Sequence, residues 1–262
     1  MHLDIVEALK KGFHRTFEKN GLMIVGLLLI TSIISSVLSA TLSEAAPAEA
    51  TSEAAMTSAL ALPVSPMIAG ILLIPSILIS AIVGITAIRV FASDKTETIP
   101  EEFYKRNLVS ALLNMLAGGL VFGVLLFAVL GLPALPGGIL TLTGLTPIGP
   151  ILAGLGVLIG LPLMLYVLLS LYFWTFYVVL EDQNFVEGFK NSWELTKGHK
   201  LGLLILGIAV FLVSISVSLF SEIPGIFRLE TVGVLLGIVI GAFTSAFSTA
   251  TLAQAYNQLK SA

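Results

Sequence analysis

The side chains able to do acid–base or metal chemistry are few and scattered. His2, His14 and His199 are the only histidines, and they show no metal-ligand spacing and no His-Glu-x-x-His run. The chain has no cysteine, which excludes thiolate catalysis, disulfides and Cys-based metal sites. No Gly-x-Ser-x-Gly elbow and no phosphate-cradling glycine motif followed by Lys is present. Glu181-Asp182 is a carboxylate pair, but it reads as a helix start or solvated loop rather than a proton-transfer pair. The expected catalytic, cofactor and metal sets are therefore empty, and the chain reads as non-enzymatic.

One cluster has a chemistry of its own. Lys190, Trp193, Lys197, His199 and Lys200 fall within eleven residues, just before a long apolar run. An indole prefers the membrane interface, and nearby ammonium groups there can meet phosphate headgroups. This is the candidate lipid-headgroup contact. A second pattern serves packing: Gly233, Gly237, Gly241, Ser245 and Thr249 recur every four residues, with Ala253 next in register. Such a ridge lets another backbone approach closely. It fits tight packing inside one bundle or a homo-oligomer seam through the sixth apolar segment.

These residues need elements to hold them. The chain of 262 residues is 56% hydrophobic and 11% charged, against about 25% charged in soluble domains. Its mean hydropathy is +1.03. Six apolar stretches stand out, at about Gly21–Leu42, Val64–Phe91, Leu108–Leu130, Ile151–Leu180, Leu201–Phe220 and Val232–Tyr256. A spanning helix needs about 20 apolar residues, and helices satisfy their own backbone groups in lipid. The expected fold is all-α: one integral membrane domain over residues 1–262, with six transmembrane helices paired as three hairpins. The first stretch is read as a retained span rather than a cleaved signal. Pro75 and Pro162 favour kinks in the second and fourth stretches. Tyr172, Trp174 and Tyr177 are expected in an interfacial aromatic belt.

Charge orients the chain. Twelve of the thirteen Lys and Arg residues lie at Met1–Asn20, Arg89–Asn107, Glu181–Lys200 and after Asn257, and Arg228 is the exception. Basic gaps stay in the cytoplasm, so both termini are expected there, in a multi-pass protein of the cytoplasmic (inner) membrane. The outer gaps differ. Ser43–Leu62 carries Glu44, Glu49 and Glu53, whereas Gly131–Pro150 is uncharged, Pro- and Gly-rich, and expected as a compact irregular cap. The net charge of −3 and the mixed signs of the basic gaps argue against nucleic acid as a partner. No ionisable residue lies deep in an apolar stretch, which counts against an ion-coupled pump. Arg89 sits near a span end, where it can snorkel, and Asn114 is expected to bond a neighbouring helix.

Three basic gaps open alike. Asp4…Glu7, Thr98…Glu101 and Asn184…Glu187 each have the spacing of a capping box. The stripes that follow, Val6, Leu9, Phe13 and Phe17 in one gap and Phe185, Phe189 and Trp193 in another, predict interfacial helices along the cytoplasmic surface. The chain then reads as three repeats, 3–93, 97–182 and 183–258, each a surface helix followed by a hairpin.

The stretch Phe185–Lys200, with its core Ser192-Trp193-Glu194-Leu195-Thr196-Lys197-Gly198, resembles a motif of poorly characterised prokaryotic membrane families. These include the YciC-like proteins, the membrane domain of some glycerophosphodiester phosphodiesterases, and related archaeal domains. The resemblance implies a membrane-domain superfamily, not a reaction. No phosphodiesterase domain is read within these 262 residues, so that activity is not expected of them. The expected function is a scaffold or lipid-associated module with membrane lipids as partners. The alternative is a passive permease or channel for a small or lipidic substrate.

Overall fold

A computed structural model describes residues 3–43, 63–144, 147–227 and 229–261. Residues 44–62, Arg228 and His2 lie outside the described residues. Helix is the only regular structure among those described: α1 (Ile5–Phe17), α2 (Lys19–Ser43), α3 (Pro66–Ala92), α4 (Glu101–Lys105), α5 (Leu108–Gly131), α6 (Leu135–Leu142), α7 (Ile148–Ser170), α8 (Trp174–Leu180), α9 (Phe185–Thr196), α10 (Lys200–Ser218), α11 (Ile223–Ile226) and α12 (Glu230–Lys260). Six helical segments among them are long and apolar enough to cross a membrane: Lys19–Leu42, Met67–Ala92, Leu108–Leu142, Ile148–Leu180, Lys200–Gly225 and Thr231–Lys260. Length and hydropathy make this a multi-pass membrane protein. The chain divides into two compact units, Leu3–Leu108 with Ile205–Ala262, and Val109–Leu204.

In the first unit α1 is antiparallel to the C-terminal half of α12. Asp4 N donates to Gln258 Oε1 at 3.0 Å, Gly12 meets Thr251, and the Phe17 ring stacks on Phe243 at 5.8 Å. The face that packs is small: Ala8, Gly12 and Thr16 are buried. A methyl on Gly12 would lie 2.7 Å from Thr251 Cα, so this contact requires glycine. The expected apolar stripe instead stays outward, with Phe13 60% and Phe17 50% exposed. The helix start is as expected on one side only. Asp4 Oδ1 accepts from Glu7 N at 2.9 Å, while Asp4 N turns to Gln258 rather than back to Glu7. The core gathers Ile24, Ile85, Val90, Phe91, Ala246, Ala250 and Ala253, all fully buried. These residues lie within the candidate spans, where close packing between helices is the stabilising term.

The C-terminus of α3 is closed by side chains from elsewhere in this unit. The last four carbonyls of a helix have no partner within it. Arg15 Nη2 donates to Val90 O at 2.8 Å, Ser93 O at 3.1 Å and Lys95 O at 2.8 Å. Gln254 Nε2 donates to Phe91 O, and Asn257 Nδ2 to Ala92 O, each at 3.2 Å. Asn20 adds Nδ2 to Lys95 O at 2.6 Å and its own N–H to Thr96 O at 3.0 Å. Arg15 is buried and also pairs with Glu18. A cation at this end complements the helix dipole.

In the second unit α5 passes through a 3-10 turn, Leu132–Ala134, into α6. The irregular cap expected over Gly131–Pro150 is thus mostly helical. Its prolines, Pro133 and Pro136, sit in the first turns of helical segments, where no N–H is needed. Its glycines admit close packing: Gly137 meets Ala153, and Gly149 meets Thr141. Gly156 and Gly160 meet Pro133 and Leu130, whereas Gly119 and Gly123 face open space. The helix runs on through Pro162, and the fourth apolar segment breaks later, between Ser170 and Trp174. There α9 packs on α8, with Gly188 against Trp174 O. Leu171, Trp174 and Val178 form a buried cluster with Phe122, Phe185 and Phe189 around it. Gly118 leaves the room that Trp174 and Phe185 fill. Trp174 and Tyr177 are buried, so they form core rather than an aromatic belt.

The third expected capping box does not form. α4 is N-capped by Pro100 with no side-chain hydrogen bond. Its start, at Glu101, lies two residues later than a Thr98 cap would require.

Candidate functional site

Of the five residues singled out by type, Lys197, His199 and Lys200 form or follow the three-residue reversal between α9 and α10, Trp193 lies in the last turn of α9, and Lys190 lies earlier on α9. Lys197 caps α9, its N–H donating to Glu194 O at 3.2 Å. Gly198 has φ +86°, a left-handed conformation that favours glycine just past a helix end. His199 N then donates to Thr196 O at 3.0 Å, and α10 starts at Lys200.

Lys200 is held by two rings. Its Nζ lies 3.3 Å from the Tyr166 centroid and 4.7 Å from the Trp193 centroid. The rings meet edge-on at 5.5 Å. A cation over an aromatic face is attracted by its quadrupole, by about 0.5–2 kcal/mol. The contact also fixes where the ammonium sits. Tyr166 and Trp193 are both partly exposed, so the cage opens outward. Tyr166, on α7, was not singled out from sequence. An aromatic within an apolar run carries no local signal of a partner 34 residues away.

Lys190 is exposed on the same face as Val186 and Trp193. The i,i+4 spacing predicts a Lys190–Glu194 ion pair, but none forms among the described residues. Both side chains extend into solvent, where such a pair gains little. Lys197 also makes no ion pair among the described residues. The segment from Lys190 to Lys200 therefore offers three ammonium groups, one of them positioned, beside an indole. Such a set can neutralise and bond a phosphate.

The remaining candidates fall elsewhere. Along α12, Gly233 and Gly237 meet Ser221, while Gly241 and Ser245 are exposed. Thr249 Oγ1 donates to Ser245 O at 2.9 Å. The buried residues of the C-terminal half include Ala242, Ala246, Ala250 and Ala253. Asn114 bonds across helices: its Oδ1 accepts from Phe185 N at 3.0 Å, and its Nδ2 donates to Ser110 O at 2.9 Å. Arg89 is buried, and its Nη1 donates to Phe103 O at 3.1 Å. Glu181 caps α8, and Asp182 takes φ +54°, so the carboxylate pair marks a chain reversal. His14 lies 3.6 Å from Glu18. No cluster of three potential metal ligands occurs among the described residues.

Open clefts among the described residues have apolar linings. One beside Pro75 is bounded by Ile33, Val37, Leu72 and Ile79, with Ser76 bonded to Ser35 at 3.2 Å.

No curated protein and no solved structure matches the chain. A family model does match, across residues 3–259, and the chain belongs to that family, a domain of unknown function (DUF7847).

Proposed function

We propose that this protein is a non-enzymatic, lipid-associated module of the cytoplasmic membrane that holds an anionic phospholipid headgroup at the α9–α10 junction. The observation that carries the reading is the Lys200 ammonium held over Tyr166 and Trp193, with Lys190 and Lys197 nearby. On the charge rule this junction faces the cytoplasm, at the depth where anionic headgroups lie. The outward stripes of α1 and α9, Val6, Phe13 and Phe17 and Val186 and Trp193, favour contact with lipid over water. The apolar cleft beside Pro75 supports lipid contact more than passage of a small polar solute. We read the chain as three like units, consistent with the shared starts of α1 and α9 and with the resemblance of Ser192–Gly198 to YciC-like membrane domains.

The test is selectivity. The protein is extracted from vesicles of equal phosphatidylglycerol and phosphatidylcholine, and its retained lipids are quantified. Wild type should be enriched in phosphatidylglycerol over the input, and K197Q/K200Q should match the input. Equal lipid ratios in both proteins would reject the headgroup site.

A further inference from the structure

Within the first unit, an open groove of about 330 Å³ is lined by Phe13, Thr16 and Phe17 of α1, Val213 and Val217 of α10, and Ile240, Phe243, Thr244 and Phe247 of α12. Its chemistry restricts the occupant. The two hydroxyls in the lining are already used: Thr16 Oγ1 donates to Gly12 O at 2.8 Å, and Thr244 Oγ1 to Ile240 O at 3.0 Å. No lining side chain offers a polar ligand a free donor, so the contents must be hydrocarbon. The volume falls in the range of ligand pockets. Phe13 and Phe17 touch at 4.8 Å, and both remain at least half exposed. Unless covered, that aromatic area would be left to water.

The surroundings of the groove indicate what covers it. Lys10 lies on the same face of α1 as Phe13 and Phe17, is exposed, and forms no ion pair among the described residues. An apolar groove with an unpaired ammonium one turn before Phe13 on the same helix face is the complement of an anionic amphiphile. We propose that the groove seats one acyl chain of an anionic phospholipid whose phosphate meets Lys10. This inference assumes, with the reading above, that the chain works in contact with lipid. It concerns a second site, separate from the α9–α10 junction.

The experiment uses the full chain, delipidated in detergent and given phosphatidylglycerol, with bound lipids counted by native mass spectrometry. Wild type should keep two lipids per chain. V213W, which fills the groove, should keep one, and K197Q/K200Q should also keep one. A photoreactive benzoylphenylalanine replacing Phe243 should form a lipid adduct in wild-type background and in K197Q/K200Q. The same residue replacing Phe127, which is 80% exposed in the second unit, should form none once surrounding lipid is exchanged away. An unchanged count in V213W, no adduct at position 243, or equal adducts at 243 and 127 would overturn the groove. Loss of one lipid in K197Q/K200Q with any of those results would leave the headgroup site standing while removing the groove.

Discussion

The two short amphipathic helices α1 and α9 dock by the same shape and by different chemistry. Aligned on their caps, Asp4 with Asn184, they place Ala8, Gly12 and Thr16 opposite Gly188, Ser192 and Thr196. All six are buried, the first three on the face of α1 that meets α12 and the last three on the face of α9 that meets α8 and the end of α7. Outward positions correspond as well: Lys10 with Lys190, and Phe13 with Trp193. The polar groups that close each dock differ. In the first unit the chain leaves α3 for a loop, so several carbonyls need donors, and the many-donor guanidinium of Arg15 supplies them. In the second unit the chain only breaks between α7 and α8. One carbonyl and one amide need partners, and hydroxyls suffice: Ser192 Oγ and Thr196 Oγ1 each donate to Ser170 O at 3.1 Å, and Ser192 Oγ accepts from Phe173 N at 3.0 Å. The position aligned with Arg15 is Leu195. The number of backbone groups exposed at a helix end thus sets the donor that closes it.

Substitutions at aligned positions should separate the constant part of this comparison from the variable part. Thermal melting of the full chain in one detergent is the readout. The largest effect is expected from Arg15→Ala, about 3–5 kcal/mol, because Glu18 and the carbonyls of Val90, Ser93 and Lys95 would lose a partner. Leu195→Ala should cost clearly less; an equal cost would erase the contrast. Gly12→Ala should follow, at about 1–3 kcal/mol of overpacking, since the methyl meets backbone. Ser192→Ala is expected to cost about 1–3 kcal/mol through the orphaned amide and carbonyl. A neutral Ser192→Ala would show that the break is not held by this hydroxyl. Smaller still, Asp4→Ala and Asn184→Ala should each cost about 1 kcal/mol. Similar losses would support the shared start, and a loss at one site alone would argue against it.

What the sequence revealed depended on range. The six apolar runs are legible because hydropathy accumulates over twenty residues, and their described ends shift by only a few residues except at Leu142. The caps at Asp4 and Asn184 are legible because donor and acceptor lie three residues apart. Thr98 misled because Pro100 moves the helix start. Gly131–Pro150 misled because prolines in a first helical turn look, in composition, like loop prolines. The Arg15 network was not legible: its acceptors are backbone carbonyls 75 to 80 residues away, and carbonyls leave no mark in a sequence. Gln254 and Asn257, amides at the end of an apolar helix, were the available hint. In the candidate site, the cations and Trp193 were legible from type and spacing. The cage was not, because Tyr166 arrives from another helix.

The headgroup site is tested most directly by the affinity of the delipidated chain for phosphatidylglycerol, in wild type, K200Q and K95Q. Lys95 also lies near an aromatic ring, 5.6 Å from Phe103, but it is paired with Glu102. K200Q should weaken binding about tenfold, the loss of one charge-assisted contact, and K95Q should leave it unchanged. Equal affinity in wild type and K200Q, or equal losses in both variants, would contradict the site.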